Sequence, residues 1–336
     1  MTDTASGPGG RAGRPLDGIS LADARISAVG ECMMELSDTG DGVMRRAYGG
    51  DTLNTALYMA RLGAQTRYVT ALGDDPYSDE MIAGWEAEGI GTDRVFRDAG
   101  QVPGLYVIRT DPTGERQFLY WRSQAPARTL FQSGRAEQTA AALAESDIVY
   151  LSGISLSLYG ADGRERLFAA LDAARKRGTR IAFDANYRPK NWESTDDAAA
   201  AFARMEALTD VALSGVDDEA QLTGQTVSAE DMAQRLWAQG AREIVVKRGA
   251  EGAFVMDADG ATTVPATPVD RVVDTTAAGD SFNAGYLAAR LTGQAPAAAA
   301  ATGGRLAAVV IGHRGAVIPR EAMADGQFSL SAGGAA

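Results

Sequence analysis

The sequence predicts an α/β fold, a mostly parallel sheet covered by helices on both faces, with a small β-sheet lid standing off it. Three observations carry that expectation. Short apolar runs alternate with segments of helical periodicity along most of the chain, the composition is that of a globular protein, and one stretch interrupts the alternation with two adjoining strand-like runs. The 336 residues would accommodate two average domains, but an α/β unit of this size commonly forms one large core, and no linker or internal repeat is visible.

The first strand is expected where Arg25, Ile26, Ala28 and Val29 lead into Gly30. Similar apolar runs follow at 66–71, 147–151, 180–184, 211–214 and 243–247, each short enough for a strand buried inside a sheet. The clearest helical periodicity lies at 53–62, 78–88, 164–176, 231–239 and 278–291, several of these segments ending at glycine, and Pro296 ahead of the alanine run 297–301 opens a further helix. The interruption is the pair 105–110 and 117–122, joined by Asp111-Pro112-Thr113-Gly114-Glu115, whose Pro and Gly mark a hairpin turn. With the segment 33–48 it is expected to form a small antiparallel sheet, a lid spanning about 33–48 and 103–124. Residues 1–24, rich in Gly, Pro, Arg and Asp, and residues 325–336 read as flexible tails, which puts the folded domain at 25–324.

Charge and composition exclude several classes of function. The 44 acidic residues against 32 basic ones, a formal charge of -12, argue against unaided binding to nucleic acid or an anionic membrane. An anionic ligand must then be held by local arginines or backbone amides. No run of 18 apolar residues occurs, and the first 24 residues lack the apolar core of a signal peptide, so a cytoplasmic protein is expected. Cys32 is the single cysteine and His313 the single histidine, which excludes intrachain disulfides and zinc sites built from Cys and His clusters. Cys32 lies in an apolar run and reads as a core residue.

The stretch Asp274-Thr275-Thr276-Ala277-Ala278-Gly279-Asp280-Ser281-Phe282-Asn283 carries the most chemistry. Small residues and a glycine leading straight into a helix bring backbone N–H groups and the positive end of the helix dipole to one point, an anion hole suited to phosphate. Asp280 at its edge can accept the proton of an attacking hydroxyl, although an isolated Asp280 also fits a helix N-cap. Gly49 and Gly50 let the backbone approach a ligand closely, and Asp51 and Asn54 supply acceptors and donors for hydroxyls; a glycine turn with Asp51 as cap would look the same in isolation. A third segment, Lys247-Arg248-Gly249-Ala250-Glu251-Gly252-Ala253, follows a buried strand, and by itself is no more than a hairpin turn. Neither a P-loop nor a Gly-x-Gly-x-x-Gly fingerprint occurs, so the phosphate site is of another type.

Taken together these segments resemble the ribokinase-like (PfkB) family of carbohydrate kinases. The stretch from Asp274 to Asp280 resembles the family's Asp-Thr-Thr-Gly-Ala-Gly-Asp, with Ala277 in place of the first glycine. Gly49-Gly50-Asp51-Thr52-Leu53-Asn54 through Leu62-Gly63 resembles its N-terminal signature, and Ala71-Leu72-Gly73-Asp74-Asp75 follows in the family's order. The resemblance spans about residues 25–320. It implies a three-layer α/β/α sandwich, ATP and Mg²⁺ as cofactors, and Asp280 as catalytic base beside the amides of Ala277, Ala278 and Gly279, and it leaves the need for a monovalent cation open. It implies nucleotide contacts from Asn186, Arg188, Ser214, Lys247, Gly249, Gly252 and the 277–279 loop. Glu219 stands at the glutamate of the family's Asn-x-x-Glu magnesium motif, with Val216 where the Asn would be.

Three further segments resemble those members of the family that phosphorylate a sugar acid, 2-keto-3-deoxygluconate: Pro103-Gly104-Leu105-Tyr106, Tyr120-Trp121-Arg122, and Asp184-Ala185-Asn186-Tyr187-Arg188. The resemblance assigns Gly49, Gly50, Asp51, Asn54, Tyr106, Tyr120, Arg122, Arg188 and Asp280 to the substrate. Chemically, Arg122 and Arg188 suit a carboxylate, because a guanidinium pairs with it through two parallel hydrogen bonds. The expected reaction transfers phosphate from ATP to the C6 hydroxyl of the acid. Its alternatives are a kinase for a neutral ketose such as fructose and a non-catalytic sugar-binding module. Pairing of lids into a homo-oligomer is expected from the family.

Overall fold

A computed structural model of the protein describes residues 14–38, 42–110, 116–324, 328 and 330. In chain order the strands are β1 (Arg25–Val29), β2 (Met33–Asp38), β3 (Met44–Gly49), β4 (Gln65–Gly73), β5 (Val95–Asp98), β6 (Leu105–Thr110), β7 (Arg116–Trp121), β8 (Ile148–Ser152), β9 (Arg180–Asp184), β10 (Val211–Gly215), β11 (Glu243–Lys247), β12 (Ala253–Asp257) and β13 (Gly260–Val264). Nine of them form one sheet in the order β13-β12-β11-β10-β9-β8-β1-β4-β5. It is parallel from β11 to β5, and β12 and β13 add an antiparallel edge.

The strand sequences account for the layering. Side chains alternate along a strand, so a strand apolar at every position can bury both of its faces. Ile26, Ile148, Tyr150, Ala182, Val211, Leu213 and Val245 point to one side, into a core shared with α1 (Asp51–Arg61), α2 (Pro76–Ala87), α9 (Ala278–Leu291) and α10 (Pro296–Ile311). Val149, Leu151, Ile181 and Phe183 point to the other, against α3 (Ala136–Ala144), α4 (Gly153–Leu158), α5 (Gly160–Lys176) and α6 (Thr195–Glu206). Ala212, Ile244 and Val246 continue that face beneath α8 (Ala229–Gln239), which follows the short α7 (Val216–Thr223). Each fully buried Leu, Ile, Val or Phe contributes about 1.5–3 kcal/mol. The expected three-layer α/β/α sandwich is therefore the observed fold, and Cys32 is buried in it as a free thiol.

The four remaining strands form a separate sheet in the order β3-β2-β6-β7. The sequence reading made this small sheet antiparallel throughout; instead its two antiparallel hairpins are joined by a parallel pair, with Met34 opposite Leu105 and Glu35 opposite Tyr106. Both β2 and β6 leave the main body in the same direction, which imposes that pairing. The turn expected at 111–115 lies outside the described residues.

Two boundaries differ from expectation. Residues 14–24 are packed rather than a tail: Leu16 is fully buried, the Leu21 amide donates to the Leu291 carbonyl at 2.9 Å, and Arg290 reaches Asp17 at 2.8 Å. A few apolar residues spaced among polar ones are enough to dock such a segment but leave no periodic signal. At the other end, Phe328 and Leu330 are partly buried against the same core, while most of 325–336 lies outside the described residues. Among the described residues no helix is long and apolar enough to cross a membrane.

Candidate active site

The carboxyl ends of β1, β8, β9, β10 and β11 open on one edge of the main sheet, and the strand order reverses between β1 and β8. Ligands of open α/β sheets gather at such a switch point. The small sheet joins the body here, because β2 follows β1 and β3 runs directly into α1 at Gly50.

On one side of this edge, α9 begins. Its N-cap is Ala277, held at φ 60° and ψ 17° in the left-handed region, and no side chain caps it. That rules out Asp280 as the cap: it sits in the first helical turn, 9% exposed, and its Oδ2 accepts from Asn54 Nδ2 at 2.8 Å. Asp274 braces the loop before the helix, accepting from the Thr276 amide and hydroxyl at 2.9 and 2.6 Å and from the Gly315 amide at 3.0 Å. The Ala278 amide donates to the Thr275 carbonyl at 3.2 Å. A Cβ added to Gly279 would meet nothing closer than Lys247 Nζ at 3.6 Å, so this face of the helix terminus is open to an incoming group. An uncapped helix start with a carboxylate at its edge is the geometry of an anion hole with a base.

A buried polar network backs it. Lys247 Nζ donates to both Asp184 oxygens at 3.0 Å and to Asn283 Oδ1 at 3.3 Å; Asn283 Nδ2 donates to Asp184 Oδ2 at 2.6 Å and to the Tyr150 hydroxyl at 3.0 Å. Thr55 Oγ1 completes the circuit to the Asp280 carbonyl at 3.1 Å. Asp51 accepts from Asn186 Nδ2 at 2.8 Å, with Asn186 at φ 31°, a conformation that Asn tolerates better than most residues. Burial, then the nearby Asp51 carboxylate, pushes the Asp280 carboxyl well above the usual carboxylate range, against the pull of Asn54 and Lys247. The Asp51 carboxyl is raised too, by burial first.

On the other side stands the small sheet. The Tyr106 and Tyr120 rings lie 5.9 Å apart, the Arg122 guanidinium sits 5.9 Å from the Tyr120 ring centre, and both Arg122 and Arg188 draw down a Tyr120 hydroxyl that burial raises. Tyr106, Tyr120 and Arg122 thus lie together, with Arg188 near enough to act on the Tyr120 hydroxyl. The structure also gives them acidic partners that the sequence reading missed. The Tyr106 hydroxyl donates to Glu35, Arg122 pairs with Glu31, and Arg188 approaches Asp218 at 3.3 Å. Gly49 and Gly50 are required by the protein itself: a Cβ at Gly49 would stand 2.5 Å from the Tyr106 hydroxyl, and one at Gly50 2.2 Å from the Glu31 carbonyl oxygen. Gly249 and Gly252 form the turn between β11 and β12, and Ser214 is buried within β10, so these three lie at the edge of the site or beneath it.

Glu219 does not fit the metal role suggested for it. Its Oε2 accepts from Arg235 Nη2 at 2.8 Å, and Arg235 also holds Glu206, so its carboxylate is committed to an ion-pair cluster. Asp218 is the carboxylate of that segment facing the site. Burial, with Asp184 close by, pushes it up to about 6 against the pull of Lys247 and Arg188. Among the described residues no group of three His, Cys, Asp or Glu side chains could hold a metal alone. A single site-facing carboxylate, Asp218, fits a Mg²⁺ carried on nucleotide phosphates, which needs only one or two protein carboxylates.

Comparison with known proteins bears on this geometry. A 2-dehydro-3-deoxygluconokinase of Dickeya dadantii (strain 3937) is 45% identical over 310 residues, covering 90% of this chain and 99% of the relative. Among solved structures, a 2-dehydro-3-deoxygluconokinase from Thermotoga maritima superposes with a TM-score of 0.78 at 19% identity, over 90% of this chain and 99% of that one. A putative ribokinase II from E. coli in complex with ATP and Mg²⁺ superposes at 0.76 with 21% identity, over 87% and 94%. The family model for pfkB family carbohydrate kinases matches residues 23–323. That span takes in both glycine-rich segments and Asp280, and this chain belongs to the pfkB family of carbohydrate kinases.

Proposed function

We propose that the protein transfers the terminal phosphoryl group of ATP to the C6 hydroxyl of 2-keto-3-deoxygluconate, giving the 6-phosphate and ADP. The observation that carries this reading is Asp280 at the open start of α9, facing a small sheet that presents Arg122. The 45% identity to a relative named for the same acid supports the choice of substrate.

Asp280 takes the proton of the C6 hydroxyl as its oxygen attacks the terminal phosphorus, and the bond to the bridging oxygen of ADP breaks. The amides at the start of α9, with Lys247 close by, stabilise the charge that develops on the transferring group. Asp218 would hold Mg²⁺, which would neutralise nucleotide phosphate charge. Asp51, Asn54, Tyr106 and Tyr120 orient the sugar hydroxyls, and Arg122 and Arg188 hold the acid. The small sheet acts as a lid that excludes water and so protects ATP from hydrolysis. Met44, Leu119 and Trp121, on the face of this sheet opposite Tyr106 and Tyr120, are 47%, 37% and 59% exposed, which supports the pairing of lids between two copies.

A coupled assay of ADP release tests the reading with ATP, Mg²⁺ and 2-keto-3-deoxygluconate beside fructose and ribose. Turnover confined to the acid is expected. Turnover with the neutral sugars alone would retain Asp280 and remove the carboxylate role of Arg122.

A further inference from the structure

Glu31 is a buried carboxylate at this site with no part in the mechanism above. It follows β1 at the carboxyl edge of the sheet and is 4% exposed. Its Oε2 lies against Arg122 Nη2 as an ion pair, the arginine side chain being 12% exposed. Among the described residues, and apart from that pair, Glu31 Oε1, Arg122 Nε and the Tyr159 hydroxyl are buried with no hydrogen-bond partner. Burial pushes the Glu31 carboxyl up, while Arg122 first and Arg128 second pull it toward the ionised form. The backbone closes tightly around the pair: a Cβ at Gly104 would stand 2.9 Å from Glu31 Oε1 and 3.2 Å from Arg122 Cβ.

Buried polar groups with unused hydrogen-bonding capacity are costly, and they are explained where a polar ligand completes them. A guanidinium carries five N–H donors in a rigid fork, enough to hold two carboxylates on different edges. Resting on the sugar-acid reading above, we infer that Glu31 is a specificity-determining positioning residue, the resident counter-ion of Arg122. It fixes one edge of the guanidinium and neutralises its charge in the empty site. A substrate carboxylate is then captured by the remaining directed donors, together with contacts to the rest of the sugar, and not by bare positive charge. Simple anions lack those contacts and are kept out.

The test is a thermal-shift titration of the full chain with acetate and with sulfate in the absence of substrate, repeated as inhibition of turnover. Glu31→Gln removes the charge and leaves a buried, unneutralised arginine. Both anions are expected to stabilise and inhibit this variant at concentrations about tenfold lower than wild type. In Glu31→Gln combined with Arg122→Ala that sensitivity should disappear. Anion responses unchanged from wild type in Glu31→Gln, or persisting in the double variant, would overturn the inference. If Glu31→Gln does not fold, Glu31→Asp, which keeps the charge one methylene short, should show intermediate sensitivity, and wild-type behaviour there would equally overturn it. Since the substrate-free titration does not involve the acid, failure of wild type to phosphorylate it would refute the proposed function without being mistaken for failure of the Glu31 inference.

Discussion

Asn54 and Asp280 stand 226 positions apart in the chain and share a hydrogen bond of 2.8 Å that joins the first helix to the ninth. One residue belongs to the glycine-rich segment after β3 and the other to the first turn of α9, so this contact ties the two segments together. The donor also favours the ionised form of a carboxylate whose pKa burial and the neighbouring Asp51 raise.

Replacing the base while keeping its shape isolates its chemistry. Asp280→Asn is expected to lower kcat by about 10²–10⁴-fold, the range for losing a general base, while substrate binding persists. Steady-state kinetics with calorimetry of the sugar acid check this, and an active Asp280→Asn enzyme would refute the assignment.

The pH profile follows from the sign of the shift. Burial raises the Asp280 pKa, so the free enzyme is protonated and inactive below it, and kcat/KM should rise with pH through a value well above the ordinary carboxylate range. Asn54→Ala removes a donor that lowers that pKa and should move the acid limb further up. An acid limb near pH 4 in both proteins would contradict the buried-base geometry.

Arg122→Ala should raise KM for the sugar acid about tenfold or more and leave KM for ATP within about twofold, because a charge-assisted pair to the carboxylate is lost. The two KM values measured side by side decide it, and equal increases would argue against a carboxylate partner.

Ala277 occupies a left-handed conformation at φ 60° where the family's usual residue is glycine. That conformation costs a residue bearing a Cβ about 1–2 kcal/mol, and glycine's extra freedom in the unfolded chain offsets about 0.4–1 kcal/mol of the relief. Ala277→Gly should therefore gain about 0.5 kcal/mol in urea denaturation, and Ala277→Val should lose stability.

Glu219→Gln should leave the Mg²⁺ concentration for half-maximal activity unchanged, since Glu219 is occupied by Arg235. Asp218→Asn should raise it. Titration of activity with Mg²⁺ separates the two, and the reverse pattern would restore Glu219 as the metal residue.

Most of the main sheet was legible in the sequence because its signals are local. A strand buried on both faces is apolar through its middle, as 211–213 and 244–246 are, and helices such as 278–291 repeat their apolar face every three to four residues. The open start of α9 was legible for the same reason, since small residues leading into a helix are contiguous. Weaker elements left less trace: β5 is partly exposed, and β12 and β13 form a short edge hairpin with exposed polar positions.

By itself, then, the sequence determined the α/β class, the order of the glycine-rich segments and the residues that assemble at the carboxyl edge of the sheet. Only the tertiary structure decided who pairs with whom: Glu31 with Arg122, Glu35 with Tyr106, Asp218 with Arg188, and Glu219 with Arg235 instead of a metal. It alone docked residues 14–24 on the core and set the parallel junction of β2 with β6. The physical reason is that periodicity and turn chemistry act between neighbours in the chain, whereas a charge pair or a docked segment depends on surfaces that meet only once the sheet and its helices have packed.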